Sequence, residues 1–241
     1  LQSNNPILKN EEFGRHVYAG ERMSVAGTVN KTTLSLLLMF ASASYAWFKS
    51  FAGEPVFGLM IGGAIGALVL VFLTVFYQSV APVTVPLYAI LEGLFVGGIS
   101  AMYADLYNGI VMQAVLLTIG VMAVMLVFYR TGILKATPAF RKGVIVATLA
   151  ILVVYVIDIV LRLFGAAMPF LHDAGPIGII ISLVIVGVAA LNFIIDFDTI
   201  ERGVRSGAPK SMEWIGALGL LTTLVWLYLE MLRLLSKFNR N

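Results

Sequence analysis

Five acidic residues stand in or beside stretches that otherwise carry no charge: Glu92, Asp105, Asp158, Asp196 and Glu230. Asp196 follows 22 uncharged residues and Glu230 follows sixteen. An ionised side chain at the centre of a membrane-spanning helix costs about 2.5 to 3.5 kcal/mol, so such a group needs a partner or a function to account for it. Two carboxyls that meet in a low dielectric cannot both ionise easily; they share a proton and titrate as a coupled pair. Protonated, the pair hydrogen-bonds and holds two helices together. Ionised, it repels, or takes up a hard cation that prefers oxygen ligands. Two side chains fall short of the roughly six to eight oxygens that calcium takes, so water would supply the rest and binding would be weak and transient.

The candidates differ in their neighbours. Asp196 shares a helix face with Asn192, whereas Asp198 points elsewhere and sits nearer a loop with Glu201 and Arg202. Glu230 lies in the aromatic stretch that includes Trp226 and Tyr228, with Arg233 three positions on and within reach to neutralise it. Asp196 and Glu230 are read as pH sensor and ion site, against the alternative of two separate structural ion pairs. Glu92 has no basic residue within four positions and is either a third acidic group on the same path or a carboxyl at a wet helix entrance near Pro86. Asp158 has Arg162 four positions on, the helical spacing of an ion pair, and a structural pair is the favoured reading. Asp105, beside Tyr107 and Asn108, reads as a loop residue. Gly58, Gly62 and Gly66, like Gly93 and Gly97, have the four-residue spacing that lets helices pack closely.

The elements that must carry these residues follow from composition. Of 241 residues, 60% are hydrophobic and 12% charged, with a mean hydropathy of +0.96. Soluble domains average roughly 45–50% apolar and about 25% charged, so a soluble globular protein is excluded. No charge occurs between Glu54 and Glu92, between Asp105 and Arg130, or between Asp173 and Asp196, and a spanning helix needs about 20 mainly apolar residues. Hydropathy, charge, Pro and Gly place seven helical spans: 32–48; 55–77; a third entered near Pro82 and Pro86 that ends near Tyr103; 109–129; 143–164; 177–200; and 214–235. Each run is too long for a barrel strand. The expected organisation is a polar N-terminal tail, 1–30, and one seven-helix transmembrane domain, 31–238. A hairpin of the last two spans turning about residue 209 offsets Asp196 and Glu230 by about 8 residues, roughly 12 Å at 1.5 Å rise per residue.

Orientation comes from the basic residues. With the N-terminus inside, the cytoplasmic tally is four in the tail, four in the fourth loop and three in the sixth, making 11. The outer tally is Lys49, Arg162, Arg233, Lys237 and Arg240, making 5. A cytoplasmic N-terminus is expected, with the basic C-terminus as the one conflicting feature. Membrane topology accounts for the basic balance, and no nucleic-acid partner is expected. Cysteine is absent, which excludes disulfides, thiolate catalysis and cysteine metal sites. His16 and His172 lie in the tail and a loop, which leaves an intramembrane serine protease or a metalloprotease without its histidines. No cofactor and no enzymatic activity are expected.

Three runs near the C-terminus, 192–201 (NFIIDFDTIE), 207–214 (GAPKSMEW) and 227–235 (LYLEMLRLL), resemble the Bax inhibitor-1 family, also called the transmembrane Bax inhibitor motif family, and within it a bacterial branch. The resemblance implies a seven-helix bundle with the last helix central, in the cytoplasmic membrane of a bacterium. It also implies a pH-sensitive calcium leak governed by an acidic pair on the sixth and seventh helices. Asp196 matches the sixth-helix aspartate, and Glu230 falls where the seventh-helix aspartate follows Leu, Tyr, Leu. The chain departs from the pattern in three ways: the second acid is Glu, the connecting loop is longer, and no basic residue lies between Lys49 and Arg130 to act as a latch partner. The alternatives are a proton-coupled transporter using the same acids, and a non-conducting membrane modulator of proteolysis or stress responses.

Overall fold

The computed structural model describes residues 21–166 and 168–240, and seven of its helices are long and apolar enough to cross a membrane. They are α1 (Val25–Phe51), α2 (Phe57–Phe76), α3 (Ala81–Leu106), α4 (Ile110–Arg130), α5 (Pro138–Leu163), α7 (Pro176–Arg205) and α8 (Met212–Arg240). A single helical turn, α6 (Pro169–His172), lies between α5 and α7. The sixth and seventh spans are therefore α7 and α8.

Several helices outrun the spans read from hydropathy, because a helix continues into the interface wherever polar residues can cap it or face water. Helix α1 begins at Val25, inside the stretch read as tail. There the Ser24 hydroxyl caps it by accepting from Gly27 N at 2.9 Å. Helix α5 begins at Pro138 behind the Thr137 cap, so Arg141 and Lys142 sit in its first turns and not in the preceding loop. Helix α7 continues to Arg205, and Asp105 closes α3 as an exposed residue of its last turn. The remainder of the expected tail, residues 1–20, lies outside the described residues.

The last helix is the hub. Helix α8 packs against α1, α3, α4 and α7, and Leu221, Leu227 and Leu232 are fully buried along it. Lipid tails are as apolar as leucine, so burial gives helices in a bilayer little reason to associate; close van der Waals fit does. Glycine supplies that fit on α3. A Cβ at Gly93 would overlap the Met39 carbonyl, and one at Gly97 would overlap the Ala43 backbone, so α3 lies directly on α1. On α2 the contact face is Gly63 and Gly66 against Leu91, and Gly58 and Gly62 border open space. Of the expected set Gly66 is therefore on the contact face, and Gly63, which meets the Leu91 carbonyl, takes the place expected for Gly62. Helices α2 and α5 are peripheral, and most of their long apolar side chains point outward.

The segment before α1 pairs with the α7–α8 connection. Met23 N donates to Ala208 O at 2.8 Å and Lys210 N to Glu21 O at 3.0 Å. The Lys210 ammonium also meets the Glu21 carboxylate, which raises its pKa above the ordinary lysine value.

Candidate functional site

Two contacts fix how α7 and α8 face each other. The Thr223 hydroxyl donates to Asp196 Oδ2 at 2.7 Å, and Lys237 Nζ donates to Ser182 Oγ at 2.8 Å and Gly178 O at 2.9 Å. Moving from Asp196 to Ser182 along α7 matches the move from Thr223 to Lys237 along α8 residue for residue, so the two helices form one unbroken antiparallel register. At 3.6 residues per turn, Gly219, Thr223, Glu230 and Lys237 fall on one face of α8, and Asp196, Ser182 and Gly178 on one face of α7. A polar stripe therefore runs nearly the length of the α7–α8 seam.

Asp196 and Glu230 both border this stripe at different heights. Glu230 lies seven residues beyond Thr223, about 10 Å along the axis and one residue short of the offset expected from the loop position. Among the described residues no hydrogen bond joins the two carboxyls; each has its own partners. Asp196, half-buried, accepts from Thr223 and lies beside Gly219. Glu230 is 1% exposed and is held by Arg233, whose Nη1 donates to Oε1 at 2.7 Å and to Oε2 at 2.8 Å. The Tyr155 hydroxyl of α5 donates to Glu230 Oε1 at 2.7 Å, and the Arg233 guanidinium lies 4.9 Å from the Tyr155 ring centre. In the α7 register the residue opposite Glu230 is Ala189, fully buried and too small to reach the carboxyl.

The other expected residues occupy separate positions. Asn192 Nδ2 donates to Thr148 Oγ1 of α5 and to Val188 O, both at 2.9 Å. Glu92 is half-buried on α3. Tyr88, Ala89 and Val85 of the same helix pack with Leu218, Leu221 and Val225, which lie on the opposite face of α8 from Thr223 and Glu230. Ser100 of α3 meets the Tyr228 hydroxyl at 2.6 Å, and counting back along these parallel helices sets Glu92 at the height of Leu220. Glu92 is thus near the level of Asp196 but across the central helix from it. Asp158 accepts from Arg162 Nε at 2.9 Å, from His172 at 2.8 Å and from Met168 N at 3.0 Å, and so ties the α5–α6 connection to the end of α5.

Three groups had no signal in the local sequence. Tyr155 is one aromatic residue in an apolar run. Ser35 of α1 is fully buried, and its hydroxyl has no hydrogen-bond partner among the described residues. Gly216 of α8 packs on Thr28 of α1, so seven residues further along these parallel helices Ser35 stands at the height of Thr223. The third is Glu213, 1% exposed, whose carboxylate accepts from Ser24 N at 2.9 Å, from Ser24 Oγ at 3.0 Å and from Lys31. It rests on the backbone of Gly27, where any Cβ would strike it.

In comparison with known families, the model of the family described as Bax inhibitor 1 like matches residues 5–240. The chain belongs to the Bax inhibitor 1 like family. Among curated proteins no match is found. As a Bax inhibitor 1 like protein with seven candidate spans, it is an integral membrane protein surrounded by lipid. Within that setting Arg233 takes on added meaning. The acid of the last helix has its cation one turn away on the same helix, where no basic residue of α2 is available.

Proposed function

We propose that this membrane protein is a non-enzymatic, pH-sensitive calcium leak channel in which Asp196 and Glu230 are successive stations along one face of the last helix. The observation that carries the reading is the polar stripe itself: in a bilayer a line of carboxyl, hydroxyl, guanidinium and ammonium groups along one helix seam is costly even when its members pair, and such lines mark ion and proton paths. Among the described residues Asp196 has no cation beside it, so a proton or a calcium ion is what neutralises it. Glu230 is held by Arg233, and an arriving calcium ion competes with that guanidinium. Deprotonation then favours cation entry, and flux rises with pH. Water completes the coordination, which keeps binding weak enough for passage. The orphan hydroxyl of Ser35, level with Thr223, is a further group that water at this height can bond. Glu92 and Asn192 stay at the margins of the path, Glu92 across α8 and Asn192 tied to Thr148.

The proposed setting is the cytoplasmic membrane of a bacterium with the N-terminus inside. The conflict raised by the basic C-terminus is eased because Arg233 and Lys237 are engaged within the bundle, which leaves Arg240 as the free basic residue of α8 on the outer side. Full-length protein in liposomes should pass calcium at a rate that rises with pH, and Asp196→Asn or Glu230→Gln should flatten that dependence. A pH profile unchanged in both variants overturns the proposal.

One observation favours a second reading. Since Arg233 neutralises Glu230, the acids could serve packing alone in a non-conducting modulator. In that case liposomes show no flux, and removing residues 2–30 abolishes the cellular phenotype. A calcium-independent proton current or solute uptake would instead mark a proton-coupled transporter.

A further inference from the structure

An apolar groove of about 620 Å³ lies between α1 and α4, floored by α3 and α8. On α1 its wall runs from Thr33 to Phe48, about 22 Å at 1.5 Å per residue. It is therefore a slot along the membrane normal, longer than the roughly 15 Å depth of one leaflet of a 30 Å hydrocarbon core. Its floor offers a solute no free polar group at Tyr228, Ser100 or Thr118. The Tyr228 and Ser100 hydroxyls bond to each other at 2.6 Å, and the Thr118 hydroxyl donates to Ala114 O at 2.7 Å. Thr33 and Ser44 add two hydroxyls to the α1 wall, and the rest of the lining is mainly apolar, the character of cavities that exclude water. Its mouth is continuous with the lipid-facing surface, because Phe40 and Phe48 of α1 and Ile119 of α4 line the groove and are also exposed outward. At one end Trp47 supplies the amphipathic ring that favours the membrane interface.

We infer that this groove is a binding site for one acyl chain of a bilayer phospholipid, which enters between α1 and α4 from the leaflet at the Trp47 end and packs on α8 at Leu224 and Tyr228. Length, a mainly apolar lining and a mouth opening into hydrocarbon all select an extended chain over a compact or polar ligand. An empty slot would forfeit van der Waals contact along its whole wall, and lipid is the material at its mouth. Leu224 and Tyr228 are close neighbours of Thr223 and Glu230 on α8, so the chain would also brace the helix that carries the polar stripe. The inference does not rest on calcium conduction.

The test uses the full chain with Trp214→Phe and Trp226→Phe, which leaves Trp47 as the single fluorophore, in phosphatidylcholine vesicles that contain lipid brominated on one acyl chain. Trp47 quenching should saturate at a several-fold lower mole fraction of brominated lipid than in the same chain carrying Val115→Phe, which fills the groove. Equal, unsaturating curves in both overturn the site. Native mass spectrometry of the otherwise unaltered chain provides a check that does not depend on the tryptophan background. One phospholipid per chain should remain bound, should be lost in Val115→Phe, and should be kept in Val153→Phe, which enlarges an exposed residue of α5. Equal retention in both variants, retention of detergent alone, or a two-chain species that disappears with Val115→Phe would each overturn it, the last by assigning the groove to a second copy.

Discussion

The two halves of the polar stripe bury a carboxyl in different ways. At Asp196 the partner is a neutral hydroxyl; at Glu230 it is a guanidinium backed by a tyrosine hydroxyl and ring. The more deeply buried acid has the stronger partner, as expected, since desolvation of an ion grows with burial and is repaid only by close opposite charge and satisfied hydrogen bonds. The difference separates two tasks. A buried ion pair is hard to dismantle and holds structure, whereas a carboxyl that leans on one hydroxyl can change its protonation without losing its place.

The largest effect should come from splitting the pair. Arg233→Met leaves Glu230 uncompensated and should cost about 3–5 kcal/mol of resistance to denaturant in detergent micelles; adding Glu230→Gln should recover most of it. If the single variant is as stable as the parent, the pair is not structural and the contrast between the two halves collapses. Next, Tyr155→Phe removes the hydrogen bond donated to Glu230 and the one accepted from Arg233 and should cost about 1.5–3 kcal/mol in the same assay, an effect that should shrink in a Glu230→Gln background. Thr223→Val, which keeps shape and loses one donor, should cost about 1 kcal/mol. The smallest stability effect belongs to Asp196→Asn, whose amide oxygen still accepts from Thr223. It should unfold within about 0.5 kcal/mol of the parent, a neutral exchange by the usual standard, while its calcium flux loses pH dependence. A large loss of stability from Asp196→Asn would place both halves in one structural class.

Much of this arrangement was legible along the chain because its information is local. Arg233 lies three positions from Glu230 and Arg162 four from Asp158, and those spacings are contacts in any helix. The turn at residue 209 set the offset between Asp196 and Glu230 to within a residue. What escaped reading is non-local or rotational. Tyr155 is 75 residues from Glu230, and nothing in an apolar run marks one tyrosine as a hydrogen-bond donor to a distant acid. Ser35 is inconspicuous until its burial is known. On α2 only Gly66 of the three expected glycines makes the close contact, and its companion is Gly63, three residues before it, since several glycines share that helix and only the neighbour decides which face is used. Hydropathy also ended several helices early, because it measures apolar depth and is silent about the turns that continue into the headgroup region.

The Glu213 clamp carries a consequence for biogenesis. The Ser24 amide and the Lys31 ammonium wait on a carboxylate that lies 189 and 182 residues further along the chain. During synthesis the residues at the entrance of α1 are translated long before the acid that completes it. The polypeptide is thus closed into a ring of contacts only when its trailing helix arrives, and Gly27 keeps the docking space vacant until then.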